Sequence, residues 1–224
     1  TDPPFFDNVH YSQLADFFYY WLNQLLFLSP LSTTRSVLEV QDTDASLFTK
    51  KLTSVFSECK RVLRDKGLLI FTYHHARNEG WVAVNRAIRD SGFECYKAFP
   101  IKAEMSVSIP QQKAKSPIHL DLILVCRKTR ESIFDKNEDL LLTSTKNAIE
   151  QIRELIDNNI TVNHSDAKMI TMGHLLCQSR KIQSSDLQDE LIKQSEGKLD
   201  QIISKIMKNE EHHYQSTRSY QLAL

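Results

Sequence analysis

The sequence predicts an α/β fold, the second half of a doubly wound sheet followed by an all-helical appendage. The run Leu68–Tyr73 is short and continuously apolar, which is typical of a strand buried on both faces. Two further strand-like runs, 93–101 and 119–127, are separated by a polar connection and indicate an antiparallel hairpin. No strand signal follows residue 130. We therefore expect Leu68–Tyr73 to be a central parallel strand.

Helical periodicity accounts for most of the remaining chain. Apolar residues recur at helical spacing from about residue 11 to 26, and again over 48–63 and 78–91. Gly67 and Gly92 stand where the second and third helices should end. Beyond residue 130 the pattern predicts three helices, at 140–158, 166–180 and 185–210. The predicted division is an α/β part at 1–129 and a helical appendage at 130–224.

Composition excludes few classes of function. The 224 residues contain 28 basic and 28 acidic side chains, so net charge gives no sign of nucleic-acid binding. The apolar stretch 17–28 is too short to span a bilayer, and no targeting signal is visible. We expect a cytoplasmic protein that does not associate with a membrane.

The cysteines predict neither disulfides nor a metal site. They are far apart in the sequence and form no CxxC pair. We expect free, mostly buried thiols and no bound metal at the four positions Cys59, Cys95, Cys126 and Cys177.

Glycine is scarce, with five residues and no two close together. Nucleotide cofactors in α/β folds usually lie against a glycine-rich turn, because only glycine allows the backbone to approach them closely. The chain offers no such turn. It also opens with Thr1 rather than methionine or a leader. We therefore expect a piece of a longer protein.

The tetrapeptide Asp2-Pro3-Pro4-Phe5 has a specific chemical use. The exocyclic amino nitrogen of adenine or cytosine is a poor nucleophile, because its lone pair is delocalised into the ring. A carboxylate and a backbone carbonyl that accept its two hydrogens free this lone pair, and prolines keep the acceptors preorganised. An aromatic ring at the fourth position stacks on a base that has left the duplex. Asp-Pro-Pro also begins ordinary turns, so the four residues alone leave both interpretations open.

Longer stretches resemble the large adenine-specific DNA methylases that carry an N-terminal domain of unknown function called DUF1156. Residues 2–22, DPPFFDNVHYSQLADFFYYWL, resemble the sequence around the catalytic motif of that family. Residues 56–67 (FSECKRVLRDKG), 71–75 (FTYHH) and 121–128 (DLILVCRK), together with Trp81, follow in the same order. The resemblance covers about residues 1–128.

The resemblance implies the second half of a Rossmann-like methyltransferase sheet, with 1–129 as the catalytic-side half of the domain. It implies S-adenosyl-L-methionine as cofactor and transfer to the N6 amino group of a flipped adenine in DNA. Asp2, Pro3, Pro4 and Phe5 would be the catalytic motif, although the family usually has Tyr where Phe5 stands. Asp in the first position is commoner in adenine enzymes, whereas Ser is commoner in cytosine enzymes.

The donor-binding half precedes the catalytic motif in this family, so we expect it on a missing N-terminal half or a partner subunit. As it stands, the chain should not methylate anything by itself, and the residues that bind the cofactor stay unknown. The alternative is a non-catalytic remnant or split-subunit module that binds DNA or a protein partner. Methylation of RNA or of a protein glutamine uses related motifs that usually begin with Asn, and Asp2 argues modestly against it.

Other candidate residues flank these motifs. His74 and His75 follow the strand Leu68–Tyr73, where ligands bind in open α/β sheets, and we expect contact with the flipped base or a phosphate. Their other interpretation is a polar loop. His10 and Tyr11 follow the catalytic loop and are candidates to line the base pocket, as are Asp7 and Asn8, unless one of these neighbours caps the first helix.

Two groups of side chains have a structural interpretation that we prefer. The aromatic residues 17–21 circle the first predicted helix, and we expect core and interdomain packing rather than nucleic-acid stacking. Basic residues around the predicted hairpin offer contacts to phosphate, but a solvated surface is favoured. They are Lys97, Lys102, Lys113, Lys115, Arg127, Lys128 and Arg130.

Overall fold

The structure is a computed structural model that describes residues 3–6, 10–26, 33–103, 118–129 and 139–195. Six helices and three strands lie in these ranges. They are α1 (Tyr11–Leu26), α2 (Ala45–Val62), β1 (Leu68–Tyr73), α3 (Asn78–Asp90), β2 (Phe93–Lys102), β3 (Leu120–Lys128), α4 (Leu140–Asp157), α5 (His164–Ser179) and α6 (185–195). The α/β class is confirmed. None of these helices has the length and apolar character needed to cross a membrane.

The three strands form one sheet in the order β1-β3-β2, and β3 runs antiparallel to both neighbours. The predicted antiparallel pairing of 93–101 with 119–127 is confirmed. β1 and β2 run parallel to each other, with α3 between them in sequence and β3 between them in space. The prediction that β1 is a central parallel strand is wrong for the described sheet, in which β1 is an outer strand paired antiparallel to β3.

Only one face of this sheet is covered in the described structure. Leu69, Phe71 and Tyr73 are buried, whereas Leu68 is 48% exposed and Ile70 is 45% exposed. The prediction of a strand buried on both faces is therefore wrong for these residues. The physical reason is that α2, α3 and α5 all contact the same face of the sheet.

Three contacts establish this one-sided layer. The ring of Phe56 on α2 lies 5.0 Å from the ring of Phe71, and Trp81 on α3 lies 5.3 Å from Tyr73. Gly173 on α5 faces the side chains of Leu122 and Ala98.

The helix bounds agree closely with the sequence pattern, and side-chain caps explain two of them. The carboxylate of Asp44 accepts hydrogen bonds from the first turn of α2, so this helix begins three residues earlier than predicted. Asn163 and Asp166 form a capping box that begins α5 two residues early. On α2, Val55 and Val62 are exposed although their helical spacing would place them on the same side as the buried Leu52 and Phe56. Of the predicted helix 185–210, only 185–195 lies within the described residues.

Helix α1 forms where predicted, but none of its residues is buried. Its large apolar side chains are between 50% and 72% exposed: Tyr11, Leu14, Phe17, Phe18, Tyr20, Trp21, Leu22, Leu25 and Leu26. The expected packing of its aromatic residues is therefore not provided by the described part of this chain. An apolar surface of this extent is characteristic of an interaction site.

Of the helices after residue 139, α5 packs on the sheet and α4 packs on α5, and both contribute to one continuous core with the sheet. Ala148, Ile152, Met172 and Leu175 are buried together with the side chains of β2 and β3. The boundary predicted at residue 130 lies outside the described residues, and the division into two domains stays a prediction.

Replacing Gly173 with Ala tests the packing of α5 on the sheet. The added methyl group would lie 2.7 Å from Leu122 Cδ1 and 2.9 Å from Ala98 Cβ. We expect Gly173→Ala to lower the free energy of unfolding by about 1–3 kcal/mol through overpacking, despite a gain in helix propensity of up to about 1 kcal/mol. Urea denaturation measures the change. Ser54→Ala, at an exposed position of α2, should stay within about 0.5 kcal/mol of the original protein. Equal or higher stability of Gly173→Ala would contradict this packing.

Candidate functional site

The segment 3–6 lies against the carboxyl end of β1. The Phe5 ring is 4.5 Å from the imidazole ring of His74, centroid to centroid, and 5.7 Å from the Tyr73 ring. Pro3, Pro4 and Phe5 are all half-buried. The structure thus brings Phe5 together with His74, one of the two predicted histidines. Asp2, the proposed hydrogen-bond acceptor, lies outside the described residues.

Phe6 anchors this segment. Its φ of 57° is in the left-handed region, which is unusual for a bulky residue that is not glycine. The side chain is only 1% exposed, and its ring lies 5.3 Å from Phe48 and 5.5 Å from His75. The guanidinium of Arg77 lies 5.9 Å from the centre of the same ring. Burial of Phe6 therefore holds the backbone that carries Phe5.

His74 forms a hydrogen bond with Asp121 across the end of the sheet. The Asp121 carboxylate accepts a hydrogen bond from His74 Nδ1, because an ionised carboxylate can only accept. The two side chains are 21% and 17% exposed, so the pair lies at the protein surface beside Phe5. The register explains the meeting, since Tyr73 is opposite Leu122 and Asp121 precedes Leu122 on β3.

His75 has a structural environment. It is 3% exposed, and its Nδ1 atom lies 3.1 Å from the backbone nitrogen of Arg77 and 3.0 Å from that residue's carbonyl oxygen. Trp81 Nε1 donates a hydrogen bond of 2.9 Å to the His75 carbonyl oxygen. Gly80 allows the close approach, because a Cβ there would lie 2.4 Å from the His75 ring. Packing therefore accounts for His75, and its contact with a base stays a prediction.

Tyr73 is fixed from behind. Its hydroxyl donates a hydrogen bond of 2.8 Å to the Gly80 carbonyl oxygen, and Trp81 packs edge-on against its ring. The two supports of Phe5 thus differ. Tyr73 is held by the core, whereas His74 is held at the surface by Asp121.

His10 and Tyr11 lie where α1 begins. His10 Nδ1 is 3.1 Å from Gln41 Nε2, and Tyr11 is 56% exposed. Neither observation joins these residues to the cluster of Phe5 and His74, so their role in a base pocket stays a prediction. Asp7 and Asn8 lie outside the described residues.

The basic residues of β3 are engaged with the protein. Arg127 donates a hydrogen bond of 2.6 Å to Glu94, and Lys128 donates one of 2.7 Å to the Leu63 carbonyl oxygen. Arg127 is opposite Leu68 in the register, so these side chains are at the other end of the sheet from His74. Of the other basic candidates, Lys97 packs beside the rings of Tyr96 and Phe99, while Lys113, Lys115 and Arg130 lie outside the described residues.

The cysteines are free, and all but Cys59 are buried, as predicted. Cys95 Sγ lies 3.4 Å from Cys177 Sγ. The interaction with the Cys126 thiol, followed by burial, raises the pKa of Cys95, and the interaction with Cys95, followed by burial, raises the pKa of Cys177. High pKa values disfavour the reactive thiolate. Within the described ranges, no three His, Cys, Asp or Glu side chains are placed to hold a metal ion.

Sequence reasoning missed Phe6 and Asp121 as parts of this cluster. Phe6 had one available signal, namely a second aromatic residue directly after the tetrapeptide. Asp121 was visible only as the acidic residue at the beginning of an apolar strand. Comparison with known proteins adds no relative, since no family model, curated protein or solved structure matches the chain.

A double-mutant cycle tests the coupling of Gly80 and His75. Gly80→Ala forces a methyl group into the His75 ring, and we expect it to lower the free energy of unfolding by about 1–3 kcal/mol. In a His75→Ala background the same methyl group enters the space that the ring has left. The loss of unfolding free energy caused by Gly80→Ala should therefore be smaller in the His75→Ala background than in the original protein, by about 0.5 kcal/mol or more. Chemical denaturation of the four proteins gives the coupling energy, and strict additivity would contradict the contact.

Proposed function

We propose that this chain is the catalytic-side part of an S-adenosylmethionine-dependent DNA methyltransferase that acts on the N6 amino group of adenine. The donor-binding half would lie outside this chain, on the same protein or on a partner subunit. One observation carries the proposal: Phe5 of the Asp2-Pro3-Pro4-Phe5 motif lies, half-buried, against His74 at the carboxyl end of β1. Ligands bind at this end of the strands in open α/β sheets.

The chemistry of the motif fits the position of its loop. The prolines restrict the backbone, and the buried Phe6 fixes its far end. Acceptors on such a loop need little reorganisation when charge develops on the amino nitrogen. Asp2 and a backbone carbonyl would accept the two amino hydrogens, which raises the nucleophilicity of that nitrogen.

Phe5 would hold the flipped base. Its ring packs on Tyr73 and His74, and the residue is only half-buried, so we propose that its accessible surface stacks on the base. Base–aromatic stacking contributes about 1–3 kcal/mol per base. Because the target amino group is paired inside the duplex, the base must leave the stack before it can reach such a loop.

The uncovered face of the sheet is an argument for the existence of a separate donor-binding half. Doubly wound sheets carry helices on both faces, but α2, α3 and α5 occupy one face here. The other face exposes Leu68, Ile70, Phe99 and Ile101, each at least 36% accessible. We propose that helices of the donor-binding half cover this face, and that α1 packs against the same half.

The described residues do not fit a binding site for the methyl donor. Gly67 follows α2, Gly80 faces His75, Gly92 lies beside Lys60 and Gly173 faces the sheet. Each is therefore explained by contacts within the protein rather than by a nucleotide cradle. Accordingly, the roles derived for this chain concern the base alone. Action on DNA and four free cysteines agree with a cytoplasmic enzyme.

The exposed apolar surface of α1 favours a second candidate function. A module that binds a protein partner without catalysis would also present such a helix, and α1 has no basic residue that would direct it to phosphate. Dependence of methylation on Asp2 separates the two candidates.

Substitutions in the motif test the proposal in a protein that joins this chain to its donor-binding half. Asp2→Ala should reduce the single-turnover methylation rate by about 10²-fold or more, because it removes a preorganised acceptor at the reacting nitrogen. Phe5→Ala should weaken capture of the base by about 1–3 kcal/mol. Phe5→Tyr is the matched control and should be nearly silent, since the ring face is retained.

The measurement is single-turnover methylation of DNA with increasing enzyme concentration. This separates the rate of the chemical step from base capture. An Asp2→Ala protein with an undiminished single-turnover rate would show that the tetrapeptide is only a turn.

A further inference from the structure

The hydrogen bond between His74 and Asp121 links the carboxyl end of β1 to the beginning of β3 beside Phe5. Asp121 lies on β3, far from the tetrapeptide in sequence, and reaches Phe5 only through His74. A carboxylate bonded to one imidazole nitrogen fixes both the orientation of the ring and the nitrogen that carries its hydrogen. With Nδ1 donating to Asp121, the His74 ring is held where Phe5 packs on it.

We propose that Asp121 is a positioning residue of the base-binding site, which acts through His74 to hold the Phe5 ring in the orientation that receives the flipped adenine. This inference rests on the proposed function. Asp121 itself touches neither base nor donor in this assignment. Asp121 fixes the position of His74, which contacts Phe5 near the surface. Tyr73, which also contacts Phe5, is fixed by the core.

The placement of the pair argues for a role in the site rather than in stability. Both side chains are partly exposed, and a hydrogen bond between partly solvated groups contributes little to net stability. The position of a side chain in a binding site has a larger effect on function than this contact has on stability, since a displacement of about 1 Å can reduce a rate by about 10²-fold. Loss of Asp121 should therefore change binding of the base far more than folding.

The structural arm of the test uses this chain alone. Nitrogen-15 shifts of the imidazole show which His74 nitrogen carries the hydrogen, and Phe5 ring shifts report its contact with His74. In Asp121→Ala, the hydrogen should no longer be confined to Nδ1 of His74, so the imidazole nitrogen-15 shifts should change. The chemical shifts of the Phe5 ring should change as well. Asp121→Asn retains an acceptor oxygen and should restore both. The control Asp65→Ala removes a fully exposed carboxylate at the other end of the sheet and should change neither.

The functional arm uses the protein that joins this chain to its donor-binding half. Asp121→Ala should raise KM for DNA by about 10- to 100-fold with little change in kcat, because Phe5 holds the base and does not react. Asp121→Asn should recover most of this loss. A purely structural lesion would instead lower the amount of folded enzyme, and so kcat and the melting temperature, with KM unchanged.

The outcomes separate the two proposals. An original protein that does not methylate DNA overturns the proposed function and the positioning role with it. An active original protein whose Asp121→Ala variant keeps both its KM and its Phe5 signals overturns the positioning role alone. An increase in KM that Asp121→Asn reverses, together with shifted Phe5 signals, supports both.

Discussion

The candidate site depends on the burial of the Phe6 side chain. A bulky residue in the left-handed region costs about 1–3 kcal/mol, and full burial of a phenylalanine side chain returns about 1.5–3 kcal/mol. The backbone cost and the burial gain are therefore similar in size. Ring contacts with Phe48 and His75 add further stabilisation, which favours the observed conformation. With Phe6 turned inwards, its neighbour Phe5 stays at the surface beside His74. Gly80 belongs to the same arrangement, because it admits the His75 ring on which Phe6 packs.

How much the sequence could predict depended on whether a signal was local. The helices follow from apolar periodicity, and the pairing of β2 with β3 follows from two apolar runs separated by a polar segment; both were predicted. The run Leu68–Tyr73 is apolar on both faces, so its pattern could not show that Leu68 and Ile70 are exposed. Phe6 contacts Phe48, and Asp121 contacts His74. Each partner is distant in sequence, so the sequence pattern could not show that Phe6 and Asp121 belong to the site. The tetrapeptide is a local signal, but its four residues alone fit both an ordinary turn and a catalytic loop, so its chemistry stays a prediction.

Charge and packing differ between the two ends of the sheet. At the end where β1 begins, Glu94 accepts from Arg127, and Arg180 lies nearby. Both cations lie within ion-pair distance of the buried Glu94 carboxylate. At the opposite end, His74, hydrogen-bonded to Asp121, lies beside the half-buried Phe5. Under the proposed function, the first end is structural and the second receives the base. The uncovered sheet face between them would receive the donor-binding half.

Analysis of the modified nucleoside tests the central claim most directly. DNA would be incubated with labelled S-adenosylmethionine and a protein that joins this chain to its donor-binding half, then digested and examined by mass spectrometry. The account predicts labelled N6-methyldeoxyadenosine from the original protein and a loss of about 10²-fold or more in its rate of formation with Asp2→Ala. DNA that carries no label, or label on cytosine alone, would contradict the account.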